Sequence, residues 1–391
     1  MSTAAELGLV ARTREVPVAG DLFDLAGPDD FVWSHHGAGF VATGVAASVP
    51  ADDVEAFVAT ITVDDEVGEP GTGAIAVGAL PFDPLAAARL IVPARVTGRT
   101  AEGRTWITEI APVADPVRAV TPGPSDVARI GGTTRDEWEA AIATALAAIE
   151  RRRLEKVVLA RDLVLRADAP FALDTVLTRL RDQQPGCFVY AHRGIVGATP
   201  ELLVRRAGGV ATSTPMAGTA RGTDDDAIGA LTQSPKDARE HALVVDAVVA
   251  ALGRHGTTPP TVSGPEIVEL PNLVHLATHI EVALAPDAPG ALTLARLLHP
   301  TPAVGGSPTA PALDLIAALE PRGRDRYAGP VGWVDAHGDG EFAIALRGAV
   351  LDGAEARCFA GCGIVAGSDP AAEWAEAERK FGPILAALGG D

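Results

Sequence analysis

Cysteine is scarce in this 391-residue sequence: Cys187, Cys358 and Cys362, an odd number with no CxxC pairing. That excludes a disulfide framework and a cysteine zinc site, and it reads as reduced thiols. Aromatic residues are also few, at 4%, so the 47% hydrophobic content rests mostly on dispersed alanine and valine. Basic residues are outnumbered, 32 against 51 acidic, for a net charge of −19. So acidic a surface repels phosphate backbones and anionic lipid, which argues against nucleic-acid and membrane partners. A small anionic substrate stays open, because a local cationic site overrides the global field. Long apolar runs are missing too. The longest, Ala242 to Leu252, is interrupted by Asp246 and is too short to span a bilayer. With Glu6 where a leader needs apolar residues, the expectation is a cytoplasmic protein. The nine histidines form no HExxH, and neither a GxSxG elbow nor a Walker A loop occurs.

What is present is punctuated strand and helix. Residues 1–125 hold short valine-rich runs between Gly, Pro and Asp clusters, such as FVWSHHGAGFVATGVAASV and ARLIVPARVTG, and read as a β-rich part. The Pro-rich stretch Ala111 to Asp126 reads as a surface connection. TTRDEWEAAIATALAAIERRRLE then predicts a long helix and KVVLARDLVLRA a strand. From there helices interrupt β-rich stretches, with HGDGE at His337 to Glu341 turning a hairpin. The expectation is an α+β fold, a large and mostly antiparallel sheet system with helices packed outside. It is read as one structural unit over 1–391, with its chemistry in 133–388.

Two helices carry suggestive charge. SPKDAREHALVVDAVVAAL predicts a helix capped by Ser234, with Leu243, Val244, Ala247, Val248 and Ala251 as its apolar stripe and Glu240 on the same side. An inward carboxylate needs a partner or a metal. SDPAAEWAEAERKFGPILAAL predicts a final helix burying Trp374, Ala377, Phe381, Leu385 and Leu388. Glu373, Glu376 and Lys380 share a neighbouring stripe. These three read either as a solvated flank with one Glu–Lys pair, or as part of an oxygen-only site suited to Mg²⁺. Lys156, at a strand start, is either exposed or points into a dry cavity where burial disfavours its charge and makes it a general base. Glu201, in GATPELLVRR, is either a turn carboxylate or a general acid among apolar neighbours. Arg347, in FAIALRGAV, alternates with Phe342, Ile344 and Leu346. It is either a surface cation or a carboxylate anchor sharing a strand face with Ala343 and Ala345. Gly-rich segments around Gly218 and Thr219, at His299 to Gly306, and around Gly361 and Gly363 could offer backbone N–H groups to an anion.

The blocks KVVLAR, GATPELL, TPMAGTARG, SPKDAREH, LLHPTPAVGG, YAGPVGW with GDGEFAIALR, and AGCGIVAGSDPAAEWAEAERK follow one another from Lys156 to Lys380. In that order they resemble the chorismate-utilising enzymes: anthranilate synthase component I, aminodeoxychorismate synthase, isochorismate synthase and salicylate synthase. The resemblance implies the anthranilate synthase component I fold, Mg²⁺ as cofactor and chorismate as substrate. It implies Lys156 as the base that activates water and Glu201 as the acid that protonates the departing 4-hydroxyl. It implies Glu240 and Glu376 as metal carboxylates, with Glu373 close by. Arg347, Lys380, Gly218, Thr219, Gly361 and Gly363 match positions near the substrate carboxylates, and His275 and Tyr327 look like pocket positions. Ala217 stands where the aminodeoxychorismate synthases resemble one another in a nucleophilic lysine, and HPTPAVGG with Ala303 is like the isochorismate synthases. The implied reaction is therefore chorismate to isochorismate, for menaquinone, siderophore or salicylate supply, in a monomer whose downstream enzymes are separate chains. A salicylate synthase or a silent chorismate-binding relative is the alternative.

Overall fold

The computed structural model describes residues 4, 7–113, 122–271 and 273–390; the central part of the Pro-rich connection, 114–121, lies outside them. In chain order the elements around the site begin with helix α1 (Arg135–Glu150) and strands β1 (Lys156–Ala167), β2 (Leu202–Ala207) and β3 (Met216–Arg221). Helix α2 (Pro235–Gly253), strands β4 (Thr261–Leu270) and β5 (Leu273–Ala283) and helix α3 (Thr309–Leu319) follow. Strands β6 (Pro330–Asp335), β7 (Gly340–Ile344), β8 (Gly348–Asp352) and β9 (Glu355–Val365) and helix α4 (Pro370–Leu388) complete the set.

Among the described residues the strands form two sheets, of 13 and 10 strands. β1, β9 and β8 belong to the larger sheet, and β2, β3 and β5 to β7 to the smaller. Each sheet also takes strands from the first hundred residues, so the β-rich N-terminal part is woven into both. Pairing is antiparallel throughout, except between Val10–Glu15 and Thr62–Asp65. The scarce aromatics gather where the sheets face each other. Phe31, Trp33, Phe40, Trp106, Phe188 and Tyr190 pack there with Trp333, and the Phe40 and Trp333 rings meet edge to face at 6.1 Å. Large rings at the centre allow alanine and valine to fill most other core positions.

The helices start where their side chains satisfy orphan N–H groups. Thr134 and Glu137 form a capping box for α1, Ser234 caps α2, and Asp369 caps α4 ahead of Pro370. Three expectations shift. Helix α1 stops at Glu150, because Arg152 takes a left-handed turn at φ 55°. The buried line of α2 is His241, Val244, Val248 and Leu252, while Ala247 faces solvent. Alanine is too neutral a marker to fix a helix face. The third concerns Arg347: β7 ends at Ile344, so the arginine is not on a strand face beside Ala343 and Ala345. It sits at φ 50° in the link that carries the chain from the smaller sheet into β8 of the larger one.

Candidate active site

An open-mouthed cleft lies where the chain steps between the sheets. Glu201 occupies one such step, between strand Ile195–Thr199 and β2, and Arg347 occupies another. The two links are stitched together: Ile344 N–H donates to Glu201 O at 3.1 Å, and Ala198 N–H donates to Arg347 O at 3.4 Å. A chain leaving a sheet no longer alternates its side chains in and out, and both functional groups can therefore turn into one space. Glu201, Gly218, Thr219, Glu240, His275, Ala303, Tyr327, Arg347, Gly361, Gly363, Glu373, Glu376 and Lys380 all line the cleft.

Lys156 lies just behind that lining. As the first residue of β1 it pairs with Val365 on one side and Ser307 on the other, and its side chain is fully buried. Its Nζ is 2.8 Å from Glu240 Oε1. No acceptor among the described residues is aligned for a hydrogen bond with it. Gly363 makes the room. A Cβ there would fall 3.0 Å from Lys156 Cε and 2.8 Å from Glu240 Oε1, so a side chain at this position would push both groups aside.

Glu201 is buried, and burial pushes its carboxyl up to about 7 despite the opposing Met216 N–H and the fields of Lys156, Arg347 and Lys380. A group so placed is half protonated at neutral pH and can give a proton away. Opposite it stands an anion-accepting wall. Arg347 Nη2 donates to His275 Nε2 at 3.1 Å, while His275 Nδ1 faces Gly218 O at 3.2 Å and Thr219 Oγ1 at 3.0 Å. The tautomer that fits all three contacts carries its proton on Nδ1. Burial, aided by Arg347, holds His275 neutral by pushing it down to about 3. Gly218, at φ 79° in a bulge of β3, turns its carbonyl to this ring. Tyr327 stacks on Phe359 with centroids 4.9 Å apart.

The third group is acidic. α4 brings Glu373 and Glu376 into the cleft, and one ligand atom from each lies within 4.8 Å of the other and of Cys362 Sγ. Burial raises the Glu373 carboxyl, and the adjacent Glu376 raises it further. Burial likewise works against charge on Glu376, but Lys380 Nζ at 2.6 Å outweighs it and holds that carboxyl low. Lys380 also donates to Gly361 O at 2.9 Å. The Cys362 thiol donates to Glu373 O, and burial keeps it protonated. That leaves an oxygen-only donor set, which could hold a hard dication. Glu240 faces the same cleft from α2 but is turned to Lys156, outside the Glu373–Glu376 cluster.

Two residues went unread in the sequence. Arg324 is buried and donates to both Glu320 oxygens and to the carbonyls of Val304 and Val158, tying the HPTPAVGG loop to β1. Lys236, in the first turn of α2, lines the cleft 3.8 Å from Glu373 Oε1. A count would have found it: the whole chain has three lysines, and two were already chosen.

Fold and cleft together define a binding site for a small anion, equipped with acid–base groups and paired carboxylates. Residues 99–389 match the family of chorismate binding enzymes, and the chain belongs to that family. It is 34% identical over 344 residues to isochorismate synthase DhbC of Bacillus subtilis (strain 168), covering 81% of each chain. It is 40% identical over 266 residues to isochorismate synthase MenF of the same organism, a match that spans 66% of this chain and 56% of that protein. The solved structure of MenF, the menaquinone-specific isochorismate synthase of Escherichia coli, superposes with a TM-score of 0.83 at 25% identity. That match covers 97% of this chain and 95% of the other. No helix among the described residues is long and apolar enough to cross a membrane.

Proposed function

We propose that the chain converts chorismate to isochorismate. One observation carries the reading: a buried amine and a proton-bearing buried carboxyl, 45 residues apart in sequence, meet at one cleft whose other wall accepts anions. Lys156, as the free amine, takes a proton from water as the water oxygen bonds to ring carbon 2. The ring double bonds shift, and the bond from carbon 4 to its hydroxyl breaks. Glu201 supplies the proton with which that hydroxyl leaves as water, so the net change is an isomerisation. Hydroxide is a poor leaving group, and a placed acid contributes about 10²–10⁴-fold. Arg347, fixed by neutral His275, is suited to a substrate carboxylate.

Glu376 and Glu373 would hold Mg²⁺, with Glu240 as the third carboxylate available to it. The ion, when bound, offsets the charge of the ring carboxylate and acts as a template for it. Glu240 also has a task of its own, since its Oε1 faces the Lys156 amine at 2.8 Å and orients it.

The test is product identification by chromatography after incubating purified protein with chorismate and Mg²⁺. Stable isochorismate is expected, with turnover lost in Lys156→Ala while the far-ultraviolet circular dichroism spectrum is retained. Salicylate with pyruvate would instead assign a salicylate synthase. Unchanged chorismate would leave a silent binding protein.

A further inference from the structure

The chain carries 29 arginines but only three lysines, Lys156, Lys236 and Lys380, and all three stand at the cleft. Guanidinium stays protonated and is no nucleophile, so among the side chains amine chemistry is confined to this one site. The three amines are not equivalent. The side chain of Lys156 is 1% exposed and held against Glu240, and that of Lys380 is 15% exposed and held by Glu376 and Gly361 O. The Lys236 side chain is 50% exposed, and among the described residues its ion pair is a loose contact of 3.8 Å with Glu373. It also lies in the first turn of α2, where a cation opposes the helix dipole and a neutral group does not. Of the three side-chain amines Lys236 is by far the most exposed and the most loosely held, and its charge faces the acidic cluster.

We propose that Lys236 is a modification site that takes the acyl group of an acyl phosphate, and that the resulting amide retunes the cleft. The Nζ lone pair attacks the acyl carbon and a C–N bond forms. The C–O bond to phosphorus's bridging oxygen breaks, inorganic phosphate leaves with that electron pair, and the amine's proton passes to water. The product removes the Lys236 cation from Glu373 and leaves it only the field of Lys380, so two affinities move in opposite directions. A dianion loses an attractive charge at the mouth, and a dication loses a repulsive one at Glu373 and Glu376. Damage to the fold of the site would weaken both.

The substrate arm of this inference rests on the proposed reaction and the Mn²⁺ arm on the proposed Glu373–Glu376 cation site, while the labelling pattern rests on neither. The full-length protein is treated with acetyl phosphate, mapped by peptide mass spectrometry, and titrated with Mn²⁺ followed by electron paramagnetic resonance. Lys236 should be labelled at a rate comparable with the α-amine, with Lys156 and Lys380 spared. The Mn²⁺ Kd should fall roughly two- to fivefold, and the KM for chorismate should rise roughly three- to tenfold. Lys236→Gln should reproduce both shifts, and in Lys236→Arg acetyl phosphate should no longer change either value. An unlabelled Lys236 beside a labelled α-amine would overturn the proposal. So would a labelled Lys236 with both affinities unchanged, or with both weakened. If chorismate is not a substrate at all, the labelling pattern and the Mn²⁺ shift still decide the matter.

Discussion

Two carboxylates line the same cleft, both are largely withdrawn from water, and they are driven in opposite directions. Glu201 feels three cations, yet touches none of them, and burial lifts it to about 7. Glu376 is penalised by burial as well, but Lys380 lies 2.6 Å away and holds it ionised. A direct ion pair overrules desolvation, and a distant one does not. This difference divides the labour. In the proposed reaction the isolated carboxyl would keep a proton to give, and the paired one a charge for a cation.

The largest effect should follow from removing the proton of the isolated member. Glu201→Gln should lower kcat about 10²–10⁴-fold with the fold intact, and a kcat near wild type would remove Glu201 from the acid's role. Because the acid form is required, wild-type kcat should fall as pH rises through about 7. The same variant sharpens the comparison through stability. Folded Glu201 keeps its proton up to about 7, whereas the unfolded chain releases it near the ordinary glutamate value of 4.5. Its contribution to stability is therefore intact below 4.5 and is lost as pH rises towards 7, on the order of 3 kcal/mol in all. Glu201→Gln should thus melt above wild type at pH 8 and level with it at pH 4.5. A Tm difference that does not change with pH would mean that Glu201 is not the proton holder described.

The paired member should respond differently. Lys380→Met leaves Glu376 without its counter-charge and should destabilise the protein by about 2 kcal/mol, less than for a fully buried pair because both side chains keep some water contact. Lys380→Met with Glu376→Gln should recover part of that loss, since the orphaned charge goes with it. Equal Tm values for the single and double variants would make the pair incidental.

Much of this was legible in the sequence, and for definable reasons. Strand β1 matches KVVLARDLVLRA residue for residue, because its apolar run is bounded by charge and turn residues on both sides. The cap of α2 follows from Ser234 and the proline behind it, whereas the sequence of α4 offers Ser368 or Asp369 ahead of Pro370 and the structure uses Asp369. Helix Asp225–Thr232 went unread, since a short segment with one Gly and two Asp shows too little periodicity. Side-chain direction was harder. Lys156 is buried because Gly363 on the neighbouring strand leaves it a hole, and a hole made by a partner 207 residues away has no local signature. Arg347 was placed on a strand because alternation continues through FAIALR, although the hydrogen-bond ladder ends at Ile344. Periodicity reads amphipathicity, and it does not read where a chain changes sheets.

The smallest effect separates the two glycines of β9, which differ in what they touch. At Gly361 an added methyl would meet Leu159 O and Val158 Cγ1 at 3.4 Å and the Tyr327 hydroxyl at 3.6 Å, all ordinary contact distances. At Gly363 the same methyl would press on Glu240 and Lys156 at 2.8 and 3.0 Å, and these are the two groups whose pairing sets the amine side of the cleft. Gly361→Ala should therefore keep kcat within about twofold and change stability by less than about 1 kcal/mol. Gly363→Ala should keep the fold but lower kcat about tenfold, because an amine displaced by even a fraction of an ångström loses its line to the water it activates. Neither backbone has a positive φ, so conformational strain does not distinguish them. If the two variants lose activity equally, the space beside Lys156 is not what glycine supplies there, and the amine side of the cleft must be held by something other than its pairing with Glu240.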